Sequence, residues 1–353
     1  MTNARGRAAI VVALLASLVF ASAVRLQAAT PTPKSTEPPG LGSGALANRR
    51  FLITSPHGSG YALYFGNGSL DGDADATRAI IIVHGVLRNA DTYFATGLSV
   101  LAQAQAKQTL LVAPQFVEAS DLHGHAGTSS DLRWTGEWPG GASATAPAPI
   151  SSYAVFDAMI ERLADRSRFP AMQDIEIIGH SAGGQIVQRY AAVGVGPSAV
   201  AASGPRVHLV VANPSSYLYF DTWRPRKVSS CPDFNQWRYG FAGAPAYVVG
   251  LPAQLEQRYA QRDVTYLLGT ADTIPNEWDL DTSCGAEEQG AFRFERGKQY
   301  IAYMRMRNPH GTNQDYAFVG GVGHDNRKMF ASPCGIAVIF GQPRTACAAS
   351  GKI

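Results

Sequence analysis

Short apolar runs rich in β-branched residues recur along this chain, and several of the segments between them show helical periodicity. Continuous runs of this kind are typical of strands buried on both faces of a parallel sheet. The predicted buried strands are 79–83, 109–112, 175–178, 207–212, 264–268 and 317–319. The predicted helices are 91–106, 151–164, 289–306 and one that begins directly after residue 181. This alternation predicts an α/β fold with a mostly parallel central sheet flanked by helices.

Two parts of the chain depart from that alternation. Residues 50–54 and 61–65 have the pattern of two strands joined through Ser55-Pro56-His57-Gly58, which predicts an antiparallel N-terminal hairpin. Residues 221–260 show no clear periodicity. This segment suits an insertion over the sheet, in the place of a lid.

The N-terminus has the pattern of an export signal. Arg5 and Arg7 precede an almost wholly apolar stretch at 8–24. Small residues at 21–23 offer a cleavage site, with a second near residue 28. An uncleaved anchor is the alternative, because about 17 apolar residues is the lower limit for spanning a bilayer. We therefore expect a signal peptide at 1–28, a disordered lead-in at 29–46, a single domain at 47–353, and a secreted or periplasmic location without stable membrane insertion.

Composition and charge give no sign of a charged partner. Hydrophobic residues make up 46% of the chain and charged residues 16%, which allows a large apolar core. Three of the 30 basic residues, Arg5, Arg7 and Arg25, lie in the predicted signal peptide. The remaining 27 match the 27 acidic residues. A net charge of zero provides no basic surface for a nucleic acid.

The four cysteines favour two disulfides, because an even number in an exported chain is typical of disulfide pairing. Three pairings are possible. Cys334 and Cys347 are close in sequence, so we pair them and leave Cys231 with Cys284. A metal site is the alternative, but the chain has no CxxC pair, and we expect no metal. Free cysteines would follow if the export signal were misread.

The strongest chemical motif is Gly179-His180-Ser181-Ala182-Gly183, which lies between a predicted buried strand and a predicted helix. This is the context of a G-x-S-x-G nucleophile elbow, in which a strained turn projects the serine from the sheet. Such a turn leaves no room for side chains two residues on either side, and Gly179 and Gly183 occupy those places. The motif predicts Ser181 as a nucleophile. A glycine-rich turn with an incidental serine is the alternative.

A nucleophilic serine needs a base, usually histidine, and the histidine needs a carboxylate that fixes its tautomer. Asp272 and His324 each lie in a loop directly after a predicted strand, where parallel sheets present their catalytic groups. They follow the serine in the order Ser, Asp, His. His310 is an alternative base, but it precedes the last predicted strand. Asp279 and Asp281 are alternative acids, farther along an irregular loop.

Acyl transfer also needs donors for the oxyanion of the tetrahedral intermediate. The backbone N–H of Ala182, the residue after the predicted nucleophile, is one expected donor. The turn at His84-Gly85, after the strand at 79–83, offers the N–H of Val86 as the second. A tight turn that merely requires glycine is the alternative reading of that dipeptide.

Together, the 179–183 motif, the His84-Gly85 turn and the ordered Asp272 and His324 resemble the α/β-hydrolase superfamily. The resemblance covers about residues 50–340 and implies the α/β-hydrolase fold, with 47–353 as the catalytic domain. The export signal, the disulfides and the lack of a long hydrophobic lid look most like secreted esterases and polyester-depolymerase-like enzymes. Val86-Leu87 follow Gly85 where some lipases and esterases continue as His-Gly-Gly-Gly.

These features predict a secreted, monomeric serine hydrolase that cleaves small or polymeric carboxylic esters through an acyl-enzyme, without a cofactor. A serine peptidase of the same fold and a non-catalytic binding module are the alternatives. Several aromatic residues follow strand ends and are candidates to line a substrate cleft, although aromatics more often pack in cores. They are Trp134, Trp138, Tyr217 and Trp223.

Overall fold

A computed structural model of the protein describes residues 1–2, 44–123, 127–200, 202–228 and 230–353. The predicted signal peptide, apart from residues 1–2, lies outside these ranges, as does the predicted lead-in up to residue 43. Among the residues that the structure describes, no helix is long and apolar enough to cross a bilayer.

One sheet organises the described part of the chain. Its strands are β1 Arg49–Ser55, β2 Gly58–Gly66, β3 Arg78–Val83, β4 Thr109–Gln115, β5 Asp174–His180, β6 Arg206–Ala212, β7 Val264–Gly269, β8 Gln314–Val319 and β9 Ala349–Lys352. They lie in the order β1-β2-β4-β3-β5-β6-β7-β8-β9. The six strands from β4 to β8 in this order pair in parallel. The predicted mostly parallel sheet is therefore confirmed.

The two edges of the sheet are antiparallel. β1 pairs with β2, and β2 pairs with β4, so the predicted N-terminal hairpin is also confirmed. At the other edge β9 pairs with β8, which the sequence did not indicate. β9 consists of Ala349-Ser350-Gly351-Lys352, which has no apolar run and resembles a turn rather than a strand.

Helices cover both faces of the sheet. They are α1 Ala90–Gln103, α2 Ser152–Ala164, α3 Ala182–Val193, α4 Gly196–Ala199, α5 Pro252–Ala260, α6 Cys284–Glu287, α7 Arg293–Arg307, α8 Asn326–Phe330 and α9 Pro333–Ile339. α2, α3 and α7 contribute to one buried cluster, and α1, α8 and α9 contribute to the other. Alternate residues of β3 divide between the two: Ile81 lies in the first cluster and Ile80 in the second. The predicted strands are continuously apolar because both of their faces are covered.

The structure forms both predicted disulfides. Cys231 pairs with Cys284 and joins the irregular segment after β6 to α6. Cys334 pairs with Cys347 and joins α9 to the turn before β9. No free cysteine is present among the described residues.

The loops that the two disulfides close differ in length, and this predicts different effects on stability. Cys231 and Cys284 are 53 residues apart, whereas Cys334 and Cys347 are 13 apart. A longer loop loses more entropy when the unfolded chain is cross-linked. Replacing the first pair by serine should lower the free energy of unfolding by about 4 kcal/mol, and replacing the second by about 3 kcal/mol. Urea unfolding of the two double variants tests this, and a smaller loss for the first pair would contradict it.

Candidate active site

The predicted nucleophile stands on a strained turn between β5 and α3. Ser181 has φ 60° and ψ −124°, a region that residues other than glycine seldom adopt. Its N–H donates to the Ala212 carbonyl at 3.1 Å, and its carbonyl accepts from the Gln185 N–H at 2.9 Å. Backbone hydrogen bonds on both sides therefore hold the turn in place.

The flanking glycines are required because backbones meet at this turn. A Cβ on Gly179 would lie 2.2 Å from the Gly183 carbonyl oxygen, and a Cβ on Gly183 would lie 2.3 Å from the Val83 carbonyl oxygen. These distances are far inside van der Waals contact. The turn therefore leaves no room for a side chain at either position, as the elbow motif implied. A residue other than glycine would have to move β3, β5 or α3.

The structure brings the predicted base and acid together. His324 lies in the loop after β8 and Asp272 in the loop after β7; Nδ1 of His324 is 2.7 Å from Oδ2 of Asp272. Nε2 of His324 is buried and has no hydrogen-bond partner among the described residues. His310, the alternative base, is exposed in the turn before β8, at the opposite end of that strand.

The surroundings of His324 favour its charged form. Burial lowers the pKa of His324, but the hydrogen bond to Asp272 and the carboxylate of Asp279 raise this pKa by more than burial lowers it. The net result is a pKa above the ordinary value of 6.5. The imidazolium that forms when a base takes a proton is therefore stabilised here.

A buried asparagine that the sequence reasoning missed joins the loops of the two partners. Asn213 follows β6 and has φ 43°. Its Oδ1 accepts from the Gly269 N–H at 2.8 Å, and its Nδ2 donates to the Gly323 carbonyl at 3.4 Å. The side chain thus ties the end of β7 to the loop of His324. An asparagine directly after a buried strand was the available signal.

A second missed residue is the buried cation beneath the site. Arg293, at the start of α7, has no solvent exposure. Its guanidinium donates to Oδ1 of Asp279 at 2.6 Å and contacts Glu277. It also lies 3.6 Å from Oδ1 of Asp272 and donates to Ser215. One arginine is therefore shared by three carboxylates, and no sequence signal separates it from the exposed arginines of the same helix.

The turn after β3 is fixed by a buried neutral histidine. Nε2 of His84 accepts from the Phe116 N–H at 3.0 Å, so Nδ1 carries the proton and donates to the Gly85 carbonyl at 2.8 Å. Burial lowers the pKa of His84 to about 4. The Arg88 N–H also donates to this carbonyl, at 3.2 Å. The Gly85 carbonyl and the Val86 N–H belong to one planar peptide group. The two hydrogen bonds that hold the carbonyl therefore also fix the direction of the Val86 N–H.

The two predicted oxyanion donors belong to two elements next to Ser181. Ala182 is the first residue of α3, so its N–H has no carbonyl partner within the helix. A Cβ on Gly85 would lie 3.6 Å from Cβ of Ser181, which puts the His84-Gly85 turn in contact with the serine. Val86, the residue after that turn, lines the same cleft as Ser181 and His324.

This cleft has a volume of about 210 Å³. Its walls come from the turn after β3, from Tyr93 on α1, and from the loop between β7 and α6. That loop contributes Glu277, Trp278 and Asp279, and Trp278 is 36% exposed. Apart from its histidines, the charged residues that line the cleft are acidic.

The four aromatic residues predicted as substrate contacts are not among the residues that line this cleft. Trp134 is buried against Phe116. The rings of all four residues pack on other aromatic rings, and each such pair buries a large apolar area. Trp138 stacks on Phe116, Tyr217 on Tyr300 and Trp223 on Tyr303. Among the described residues, Tyr93 and Trp278 do line the cleft, and the sequence singled out neither of them.

Three side chains of the site have the donor atoms of a metal ligand set. Asp272, Glu277 and His324 each place one such atom within 4.8 Å of the others. The same groups already bind one another or Arg293, since Asp272 accepts from His324 and Glu277 accepts from Arg293. The ion pairs and hydrogen bonds of the site therefore account for this grouping.

No protein-family model matches the sequence, and no curated protein matches it. Among solved structures, the chain is similar to poly(aspartic acid) hydrolase-1 from Sphingomonas sp. KT-1, with a TM-score of 0.57 and 21% identity over 84% of this chain and 99% of that one. It is also similar to LpqC, a poly(3-hydroxybutyrate) depolymerase from Bordetella parapertussis, with a TM-score of 0.57 and 20% identity over 84% of this chain and 92% of that one. The chain has the α/β-hydrolase fold, as expected.

The buried arginine gives a stability prediction. Replacing Arg293 by methionine leaves Glu277 and Asp279 without their cation, and removing one partner of a buried ion pair costs about 3 to 5 kcal/mol. Arg305→Met, in the exposed part of the same helix, is the control and should cost little. Urea unfolding at pH 7 measures both variants.

The loss in the Arg293 variant should depend on pH. Burial raises the pKa of Asp279, but the nearby positive charges of His324 and Arg293 lower it by more, to a net value below the usual 3.8. A carboxyl group whose pKa is lower in the folded protein stabilises the fold at pH values above its pKa in the unfolded chain. That stabilisation is lost as the pH falls towards the pKa in the folded protein. The loss in free energy of unfolding caused by Arg293→Met should therefore be full at pH 7 and become smaller below about pH 4. A constant deficit would contradict this account.

Proposed function

We propose that the protein is an exported serine hydrolase that cleaves carboxylic esters through an acyl-enzyme. The observation that carries the proposal is the 2.7 Å hydrogen bond between Asp272 and His324, with the other ring nitrogen unpartnered beside the cleft that Ser181 lines. A nucleophile, a base and an orienting acid in this relation are what acyl transfer requires.

In acylation, Oγ of Ser181 attacks the ester carbonyl and Nε2 of His324 takes its proton. The carbonyl oxygen becomes an oxyanion, which accepts from the N–H groups of Val86 and Ala182. The bond to the alcohol then breaks, and His324 returns the proton to the departing oxygen. In deacylation a water molecule repeats the sequence: His324 takes its proton, the hydroxide adds to the acyl carbon, and Ser181 leaves with the proton.

Two further observations support this reading. The similar structures include a protein named as a depolymerase of poly(3-hydroxybutyrate) and one named as a hydrolase of poly(aspartic acid), so small and polymeric acyl compounds are both substrates to test. The two disulfides support export, because such bonds persist in oxidising compartments. The same chemistry is open to amides, and p-nitrophenyl butyrate beside an aminoacyl p-nitroanilide separates an esterase from a peptidase.

The nucleophile can be tested directly. The wild-type protein should react with a fluorophosphonate probe and hydrolyse p-nitrophenyl butyrate, and Ser181→Ala should do neither. Ser99→Ala, a serine of α1 outside the cleft, should keep both activities. A wild type that is inert in both assays, or a Ser181→Ala variant that still reacts with the probe, would overturn the proposal.

The raised pKa of His324 predicts the acid side of the pH profile. The base works only when it is neutral, so kcat/KM should fall as the pH drops through the pKa of His324. Because this pKa lies above 6.5, half of the activity should already be lost at a pH above 6.5. His310→Asn should show the same profile, since that exposed histidine is remote from the site. An acid limb centred well below pH 6 would contradict the assignment of the base.

A further inference from the structure

A carboxylate lies on the side of His324 from which a substrate is protonated. Oδ2 of Asp279 is 3.4 Å from Nε2 of His324, and the two atoms do not have hydrogen-bond geometry. Its other oxygen, Oδ1, is held by Arg293 at 2.6 Å. The side chain lines the cleft, so it lies where the reacting part of a substrate must sit.

The position of Nε2 determines which part of the substrate meets Asp279. In the proposed reaction this nitrogen protonates the departing alcohol oxygen, which requires a separation of about 3 Å. Since Oδ2 of Asp279 is 3.4 Å from the same nitrogen, the alcohol oxygen and this carboxylate oxygen can be at most about 6.4 Å apart. A group one or two carbons beyond the alcohol oxygen is thus within reach of Asp279.

The charge balance determines which groups are favoured there. Asp272, Glu277 and Asp279 share the single positive charge of Arg293, so this corner of the cleft has an excess of negative charge. A carboxylate accepts hydrogen bonds and donates none, and it repels a second anion. Trp278, exposed beside these acids, offers an apolar ring that can cover the carbon chain of an alcohol or the face of a cation.

We propose that Asp279 is a specificity-determining residue that selects esters of alcohols with a hydrogen-bond donor, a hydroxyl or an ammonium group, on the second carbon from the ester oxygen. Alcohols with an anionic group at that place are disfavoured. The inference rests on the proposed ester hydrolysis and adds the class of leaving group to it.

Asp279 also influences the base itself, which supplies a second readout. The groups that face the His324 ring are Asp272, Glu277, Asp279, Arg293 and the ring of His180, whose centroid lies 4.4 Å away. Asp325 follows in sequence, but its carboxylate is bound to the Lys328 N–H at the start of α8. Removing the charge of Asp279 lowers the pKa of His324, so the acid limb of the pH profile should move to lower pH in Asp279→Asn.

The test compares butyrate esters that share an acyl group and differ in the alcohol. 2-Hydroxyethyl butyrate is matched with n-propyl butyrate, and 2-(dimethylammonio)ethyl butyrate is matched with 3-methylbutyl butyrate. The first pair tests a neutral hydrogen-bond donor and the second pair tests a charged one. Carboxymethyl butyrate carries an anionic group at the same place. The measured quantity is kcat/KM, because it reports acylation, the step in which the alcohol leaves.

In the wild type we expect each donor ester to be favoured over its apolar partner by about 10-fold or more, the effect of one hydrogen bond to a charged group. In Asp279→Asn this ratio should fall about 10-fold, and the carboxymethyl ester should gain relative to n-propyl butyrate. Asp281→Asn is the control: Asp281 lies on the same loop and is bound by Tyr239 at 2.7 Å, but it does not line the cleft. Its ratios should match the wild type.

The ratio of kcat/KM between two esters of one variant does not depend on how much of that variant is folded. Asp279→Ala serves as a second variant that lacks the carboxylate charge. Wild-type ratios near one, or ratios that Asp279→Asn leaves unchanged, overturn the inference while ester hydrolysis stands. A wild type that hydrolyses none of these esters and does not react with the fluorophosphonate probe overturns the proposed function, and this inference with it.

Discussion

The close approach of α3 to the carbonyl ends of its neighbouring strands is the constraint on which the site depends. A Cβ at Gly183 would meet the Val83 carbonyl, and one at Gly184 would lie 2.5 Å from the Ala212 carbonyl. The start of α3 therefore rests directly on β3 and β6. This contact fixes Ser181 and the Ala182 N–H against the turn after β3. The two N–H groups that we propose as oxyanion donors, those of Ala182 and Val86, belong to the two elements that meet here, and donors of this kind need a fixed relative position.

Much of the architecture follows from patterns that a sequence exposes. Buried parallel strands leave continuous apolar runs, and the carboxyl ends of such strands meet at one edge, which brought Asp272 and His324 together. Asn213 and Arg293 were missed, and Asp279 was considered only as an alternative acid. The roles of these residues consist of contacts between distant segments, and each resembles an ordinary loop or helix residue locally. The packing of the predicted aromatic residues was hidden for a related reason, since nothing in a sequence distinguishes an indole that packs on Phe116 from one that faces a cleft.

The site also shows how little net charge reveals about local charge. The chain beyond its predicted signal peptide is balanced between acidic and basic residues, yet three carboxylates and one arginine meet around His324. Within a poorly solvated cleft such an imbalance acts strongly on a nearby imidazole and on any charged substrate. Composition therefore describes how the whole surface meets its surroundings, whereas the field at the reacting atoms depends on a few partners brought together by folding.

The buried His84 in the turn after β3 has a consequence for the response of the protein to acid. The pKa of His84 is about 4, and burial also holds the pKa of His180 well below 6.5, so both rings stay neutral while His324 titrates. Mild acidification therefore adds a proton to His324 while His84 and His180 keep their uncharged forms. The proposed base and the turn that carries Val86 should thus respond to acid separately, the turn only near pH 4.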